Sequence, residues 1–316
     1  MSLKCHYSIV IPIYCNELTL KELLVTLKSE VIKKNKHLNA EIIFVDDGSR
    51  DDSFKQLQKL KKVHSDINCT IIKLTRNFGQ GPAIFAGYKY AKGDCVVNIA
   101  ADLQDPVEIL NEMLKYYFEQ NYKIVLPIRK SRDDSFFRNL ASKIFYWIIR
   151  KLSFKNMPLG GFDIFLIDNK IAKFIIGSKE SDPFIQGQIL WSGYKPKYIF
   201  YDRKKRFEGK SKHTLSKLTK FFIDGVMSYS FFPIRMMSYI GMLISITGFF
   251  YGSYIIYEHV TYVGPPRPLG WASLMIVILL IGGFQMVMLG IIGEYIWRTL
   301  SQSRGRPQYI IEEMIK

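Results

Sequence analysis

Two stretches without a charged side chain, Met236–Ile256 and Ala272–Gly293, constrain this chain more than any other feature. They run to 21 and 22 residues. At about 1.5 Å per residue, a helix of that length crosses the ~30 Å hydrocarbon layer of a bilayer. A helix inside a soluble core would need some polar face, and these have almost none. Two membrane spans are therefore expected. The link between them, Glu258 to Gly270, is short, Pro-rich and nearly neutral. Arg235 flanks one outer end, and Arg298, Arg304 and Arg306 flank the other. By the positive-inside rule both ends of the hairpin face the cytoplasm and the link lies outside. The reading is a multi-pass protein of the inner (cytoplasmic) membrane with both termini in the cytoplasm.

Before the hairpin the pattern changes. Five short apolar runs read as strands: Ser8–Ile13, Glu41–Val45, Thr70–Leu74, Val96–Ala100 and Ile124–Pro127. Several are continuous rather than alternating, which suits a sheet buried on both faces. Helical segments fall between them at Leu20–Lys34, Ser53–Val63, Gly81–Ala91 and Pro106–Gln120. This alternation predicts an α/β, mostly parallel open sheet. The expected organisation is a cytosolic domain over 1–230, two transmembrane helices over 231–297 and a cytoplasmic tail over 298–316. Tyr7–Tyr14 is too short for a signal peptide and merges into a strand. The four cysteines show no metal-type spacing and read as reduced core thiols. A net charge of +16 calls for an anionic partner. With two spans following, membrane lipid or a phosphorylated ligand is expected, and no nucleic acid.

In open α/β sheets, ligands sit beyond the carboxyl ends of the strands. After the first strand comes IPIYCNE, ending at Glu17; after the second, DDGS, Asp46 to Ser49. The third is followed by RNFGQG and the fourth by ADLQDP, Ala101 to Pro106. Any one of these could be a solvated turn. Together they gather acids, amides, an arginine and glycines at one edge. Transfer of a sugar from a nucleotide donor uses those residue types. Glu17, Asp46 and Asp47 could accept hydrogen bonds from a base and ribose. Asp102 and the Gln104 amide offer hard oxygens to Mg²⁺ or Mn²⁺.

IVIPIYCNE, IIFVDDGS, RNFGQGPAIFAGYKYAKGD and ADLQDP, in that order and spacing, resemble the glycosyltransferase family 2 catalytic domain of GT-A type. The likeness is closer to its polyprenyl-phosphate branch, which includes dolichol-phosphate mannose synthase and the bactoprenol glucosyltransferases. It continues through GGFDIFLID, YDRKKRFEGKSK and GEYIWRTLSQSRGRPQYII. The resemblance implies a GT-A, Rossmann-like fold and a nucleotide-sugar site with Pro12, Glu17, Asp46, Asp47 and Asp102. It also implies a metal held by Asp102 and Gln104, although Ala100 stands where the first acid of the usual Asp-x-Asp would be. Asp163 matches an acid near the acceptor. Arg203, Arg206, Ser211 and Lys212 match a cationic loop that clamps phosphate, and Asp102, Asp163 and Arg206 are the expected catalytic residues.

Lys130–Ser153 interleaves aromatics with Arg and Lys, as a helix lying in the membrane interface does. With it, Arg129, Arg132 and Arg138 are expected to gather a lipid phosphate. The implied reaction is inverting transfer of a sugar to undecaprenyl or another polyprenyl phosphate, for cell-surface glycan modification. UDP-glucose is the expected donor, with UDP-GlcNAc, UDP-galactose and an aminoarabinose donor as alternatives. A processive polysaccharide synthase is a weaker reading, because Gln188–Trp191 lacks the arginine of QxxRW. A non-catalytic scaffold has only Ala100 in its favour. Gly282, Gly283, Gly290 and Gly293 permit close helix packing, as in a homo-oligomer.

Overall fold

The computed structural model describes residues 5–129, 146–147, 150–151, 154, 156–158, 161–178, 184–202, 232–261 and 270–316. The chain divides into two compact units, Met1–Asp224 with Gly305–Lys316, and Gly225–Arg304.

The first unit is built on β1 (Tyr7–Ile13), β2 (Ala40–Asp46), β3 (Cys69–Leu74), β4 (Cys95–Asn98), β5 (Ile124–Arg129), β6 (Phe165–Asp168), β7 (Lys197–Tyr201) and β8 (Ile311–Ile315). They form one sheet in the order β7-β5-β6-β4-β1-β2-β3-β8. The run β3-β2-β1-β4 is parallel throughout. Its order reverses between β1 and β4, which opens a crevice at their carboxyl ends. This is a mostly parallel, Rossmann-like GT-A sheet.

Both faces are covered, as the continuous apolar runs require. Ile9, Ile11 and Ile13 join Ile42, Phe44 and Ile71 in a core with Leu20, Leu23, Leu57 and Met113. These come from α1 (Leu20–Thr26, continued by a π-helical Leu27–Ile32), α2 (Ser53–Val63) and α4 (Ile109–Phe118). On the opposite face α3 (Gln80–Tyr90) packs so closely that a Cβ at Gly87 would lie 2.3 Å from Val10 Cγ1. Beside α3 lies α5 (Asn169–Gly177), whose N-terminus is capped by Asp168 accepting from the Lys170 N–H at 3.0 Å; α6 spans Ile185–Trp191.

Two reversals matter for the site. β6 runs antiparallel to both β4 and β5. Residues just before β6 therefore share an edge with the ends of β4 and β5. At the other side β8 runs antiparallel to β3, so the C-terminal tail closes a sheet edge. Thr75 N donates to Ile310 O at 3.0 Å, and Lys73 pairs with Glu312 at 3.0 Å.

The second unit contains α7 (Phe232–Thr261) and α8 (Trp271–Ser303), which contact each other. Their apolar windows, Ile234–Glu258 and Leu274–Ser303, are long enough to cross a membrane. The helices outlast the charge-free stretches: α8 continues through a Glu294–Arg298 ion pair at 2.9 Å. Such an i,i+4 pair joins successive turns along one helix face.

Candidate active site

The loop after β2 is fixed by its own acids. Asp47 is buried, and its two carboxylate oxygens accept from Phe78 N at 2.7 Å and Gly79 N at 2.9 Å. Burial pushes its carboxyl up to about 6, and the two amides offset this only in part. The turn passes so near the β3–α3 loop that a Cβ on Gly48 would lie 2.5 Å from the Arg76 carbonyl carbon. Gly48 also has φ +64°. A side chain there is excluded twice over. Asp47 is thus a brace between two loops.

Asp46 differs. It is fully buried, and one oxygen accepts from Ser49 N at 3.2 Å. Its Oδ2 has no partner among the described residues. Burial raises its carboxyl above the ordinary range. An unpaired buried acceptor is costly, and ligand N–H or O–H groups are a common remedy. Asp46→Asn is expected to raise the donor KM about 10-fold or more, as loss of a charged hydrogen bond does. A donor titration that gives the wild-type KM would remove Asp46 from the nucleotide site.

The loop after β1 is stitched to the same region. Cys15 N donates to Ser49 Oγ at 3.0 Å, and Asn16 N to Ser53 Oγ at 2.9 Å. Glu17 Oε2 accepts from the Asp52 N–H at 2.9 Å. Glu17 therefore anchors its loop to the start of α2. Pro12 lies within β1, opposite Val45. Across the crevice, Thr19 donates to the Ala101 carbonyl at 2.6 Å.

In the loop after β4, Asp102 is half-exposed and accepts from Gln104 N at 3.2 Å, while Leu103 turns at φ +55°. Gln104 and Asp105 are buried. Among the described residues no three His, Cys, Asp or Glu side chains cluster as a metal site. One carboxylate and one amide oxygen fit a hard divalent cation whose remaining ligands come from a diphosphate and water.

Antiparallel β6 brings in the other side of the site. Asp163 precedes it, and its carboxylate pairs with the Arg129 guanidinium. Its backbone carbonyl accepts from buried Asn98 at 3.2 Å. Arg129 Nε also donates to the Tyr201 hydroxyl at 3.3 Å, and Tyr201 donates to Asp105 at 2.7 Å. Arg129 is the last residue of β5 and is engaged by a carboxylate. It ends a strand, although the sequence grouped it with the basic stretch that follows. Its charge is balanced by Asp163. Arg132, Arg138, Arg203, Arg206, Ser211 and Lys212 lie outside the described residues. Sequence reasoning missed Asn98, Asp105 and Tyr201. Asp105 had a signal, three residues after Asp102 in the same loop, and Tyr201 heads YDRKKRFEGKSK, but Asn98 had none.

Comparison with known proteins agrees with this geometry. A family model described as glycosyl transferase family 2 matches residues 8–179, and one described as GtrB C-terminal hairpin matches 232–298. An uncharacterised glycosyltransferase of Bacillus subtilis is 36% identical over 99% of this chain and 95% of its own. A prophage bactoprenol glucosyl transferase homolog of Escherichia coli is 31% identical over 98% of this chain and 99% of its own. A bactoprenol glucosyl transferase of Shigella phage SfV is 32% identical, covering 96% of this chain and 97% of its own. Among solved structures, a Pyrobaculum calidifontis mannosyltransferase in complex with GDP-Man and Mn²⁺ matches with TM-score 0.53 at 13% identity. That match covers 96% of this chain and 87% of the mannosyltransferase, and it shows the shared fold.

Proposed function

The chain belongs to glycosyltransferase family 2, and from that premise we propose that it transfers glucose from UDP-glucose to a polyprenyl phosphate at the cytoplasmic face of a membrane. The observation that carries this reading is the likeness to bactoprenol glucosyl transferases over the whole chain, hairpin included. The site supports it. Asp46 would offer a buried acceptor to the nucleoside, and Asp102, in the loop after β4, would serve the diphosphate. Two apolar helices support membrane association. Arginines at their outer ends favour a hairpin with both ends inside.

A polyprenyl phosphate is already an anion at neutral pH. Its oxygen can attack the anomeric carbon without first losing a proton. The new bond forms from the phosphate oxygen to the anomeric carbon as the bond to the nucleoside diphosphate breaks, with inversion. The protein's work is then positioning and charge placement. Asp102 and Gln104 would hold Mg²⁺ or Mn²⁺, which neutralises charge on the departing diphosphate. Asp163, fixed by Arg129, orients groups on the acceptor side.

The test is a screen of radiolabelled nucleotide sugars against undecaprenyl phosphate with purified protein in detergent. UDP-glucose should label the lipid most strongly; no lipid labelling from any donor would end this reading. The metal assignment has its own check. Ala100→Asp would restore a second acid and should lower the Mg²⁺ or Mn²⁺ concentration needed for half-maximal activity several-fold. An unchanged titration would place the cation elsewhere.

A further inference from the structure

Resting on the functional reading above, we infer that Tyr201 is a positioning residue for sugar transfer, holding Arg129 so that Arg129 fixes the Asp163 carboxylate. Arg129 and Tyr201 are register partners across the parallel pair β5–β7, so both side chains arise at the same level of the site edge. The phenol is used in both directions. Its O–H donates to Asp105 at 2.7 Å, and its oxygen accepts from Arg129 Nε at 3.3 Å. Burial and the neighbouring Asp105 raise the phenol's pKa, so it stays protonated and keeps its donor. A guanidinium held at Nε is fixed in plane as well as place, because its donors form a rigid fork. The same guanidinium pairs with Asp163.

The network joins four segments of the chain, with Arg129 at the end of β5 as its centre. Asp105 belongs to the Asp102 loop and Asp163 precedes β6. Tyr201 ends β7, immediately before Asp202 and the basic segment from Arg203. Tyr201 and Asp105 are buried, whereas the Asp163 side chain is 50% exposed. The buried members therefore serve as the support, and the exposed carboxylate is the end that can meet a ligand. Arg129 and Tyr201 touch no reacting atom in this reading; they act through Asp163.

Tyr201→Phe keeps the ring and removes only the hydroxyl. Its kcat for lipid glucosylation should fall about 10-fold, as loss of a hydrogen bond to a charged group does, while the donor KM stays at the wild-type value. Tyr198→Phe on the same strand, whose hydroxyl donates to the Asn156 carbonyl, is the control and should turn over like wild type. Added to Asp163→Asn, Tyr201→Phe should cost little more, because the carboxylate it positions is already gone. A merely structural tyrosine would multiply the two losses and lower thermal stability in parallel. If Tyr201→Phe does not fold, Arg129→Lys, which keeps the charge and loses the Nε donor, is read in the same pair with Asp163→Asn. Wild-type kcat in Tyr201→Phe, or multiplying losses in either pair, overturns the inference. Wild-type protein that labels no lipid overturns the functional reading first, and this inference with it.

Discussion

Asp102→Asn is expected to lower kcat by about 100-fold or more while leaving the fold intact. The substitution is conservative for structure. Asp102 accepts from the Gln104 N–H at 3.2 Å around Leu103, and an asparagine oxygen can accept the same bond. What is lost is charge. Ala100 occupies the place of a neighbouring acid, and no cluster of three ligating side chains exists among the described residues. A cation at this loop would therefore lean on a single carboxylate. Weakening its hold raises the barrier for departure of the diphosphate, and about 2.7 kcal/mol suffices for a factor of 100. Turnover at saturating donor, with thermal unfolding measured on the same sample, is the check. Excess Mn²⁺ should restore part of the rate. Gln104→Ala should be milder, because water can replace an amide ligand. Wild-type turnover in Asp102→Asn would sink the metal assignment.

The central sheet could be read from the sequence because its signals are local. Continuous apolar runs such as IIFV mark strands buried on both faces, and the rule about strand ends then points to the loops after β1 to β4. Which acids in those loops meet a ligand could not be read. Asp46 and Asp47 are adjacent and identical in type, yet one is tied to two amides and the other keeps a bare oxygen. That distinction depends on a loop thirty residues away. The Tyr201–Arg129 bridge depends on the β5–β7 pairing, with β6 entering antiparallel between β5 and β4. No periodicity announces such a contact. β8 was missed for a related reason. IEEMI is short and carries adjacent glutamates, and it becomes a strand because β3 offers an open edge. The hairpin was the easiest element to read, since length without charge is a property of the chain alone.

The acceptor side yields the second large effect: Arg206→Ala should cut transfer to polyprenyl phosphate about 100-fold and leave membrane residence unchanged. Its ground is chemical. Arg129 is balanced by Asp163, so a dianionic phosphate must find its countercharge elsewhere. Arg203 and Arg206, three apart and ahead of Gly209 and Ser211, are the nearest concentration of cations in sequence to the end of β7. A guanidinium meets a phosphate through two parallel N–H bonds, and charge-assisted bonds contribute roughly 1.5–3 kcal/mol each. The rival explanation is a plain basic face before a membrane span. Each such charge near anionic lipid contributes only about 1 kcal/mol to attachment, and two helices long and apolar enough to cross a membrane would supply the anchor. Detergent-solubilised protein at saturating donor separates the two, because membrane attachment no longer enters the rate. Arg206→Lys should recover part of the loss, since an ammonium keeps the charge but cannot bind in the bidentate manner. Wild-type transfer by Arg206→Ala under those conditions would mean that these charges serve the bilayer and that the lipid phosphate is held by other groups.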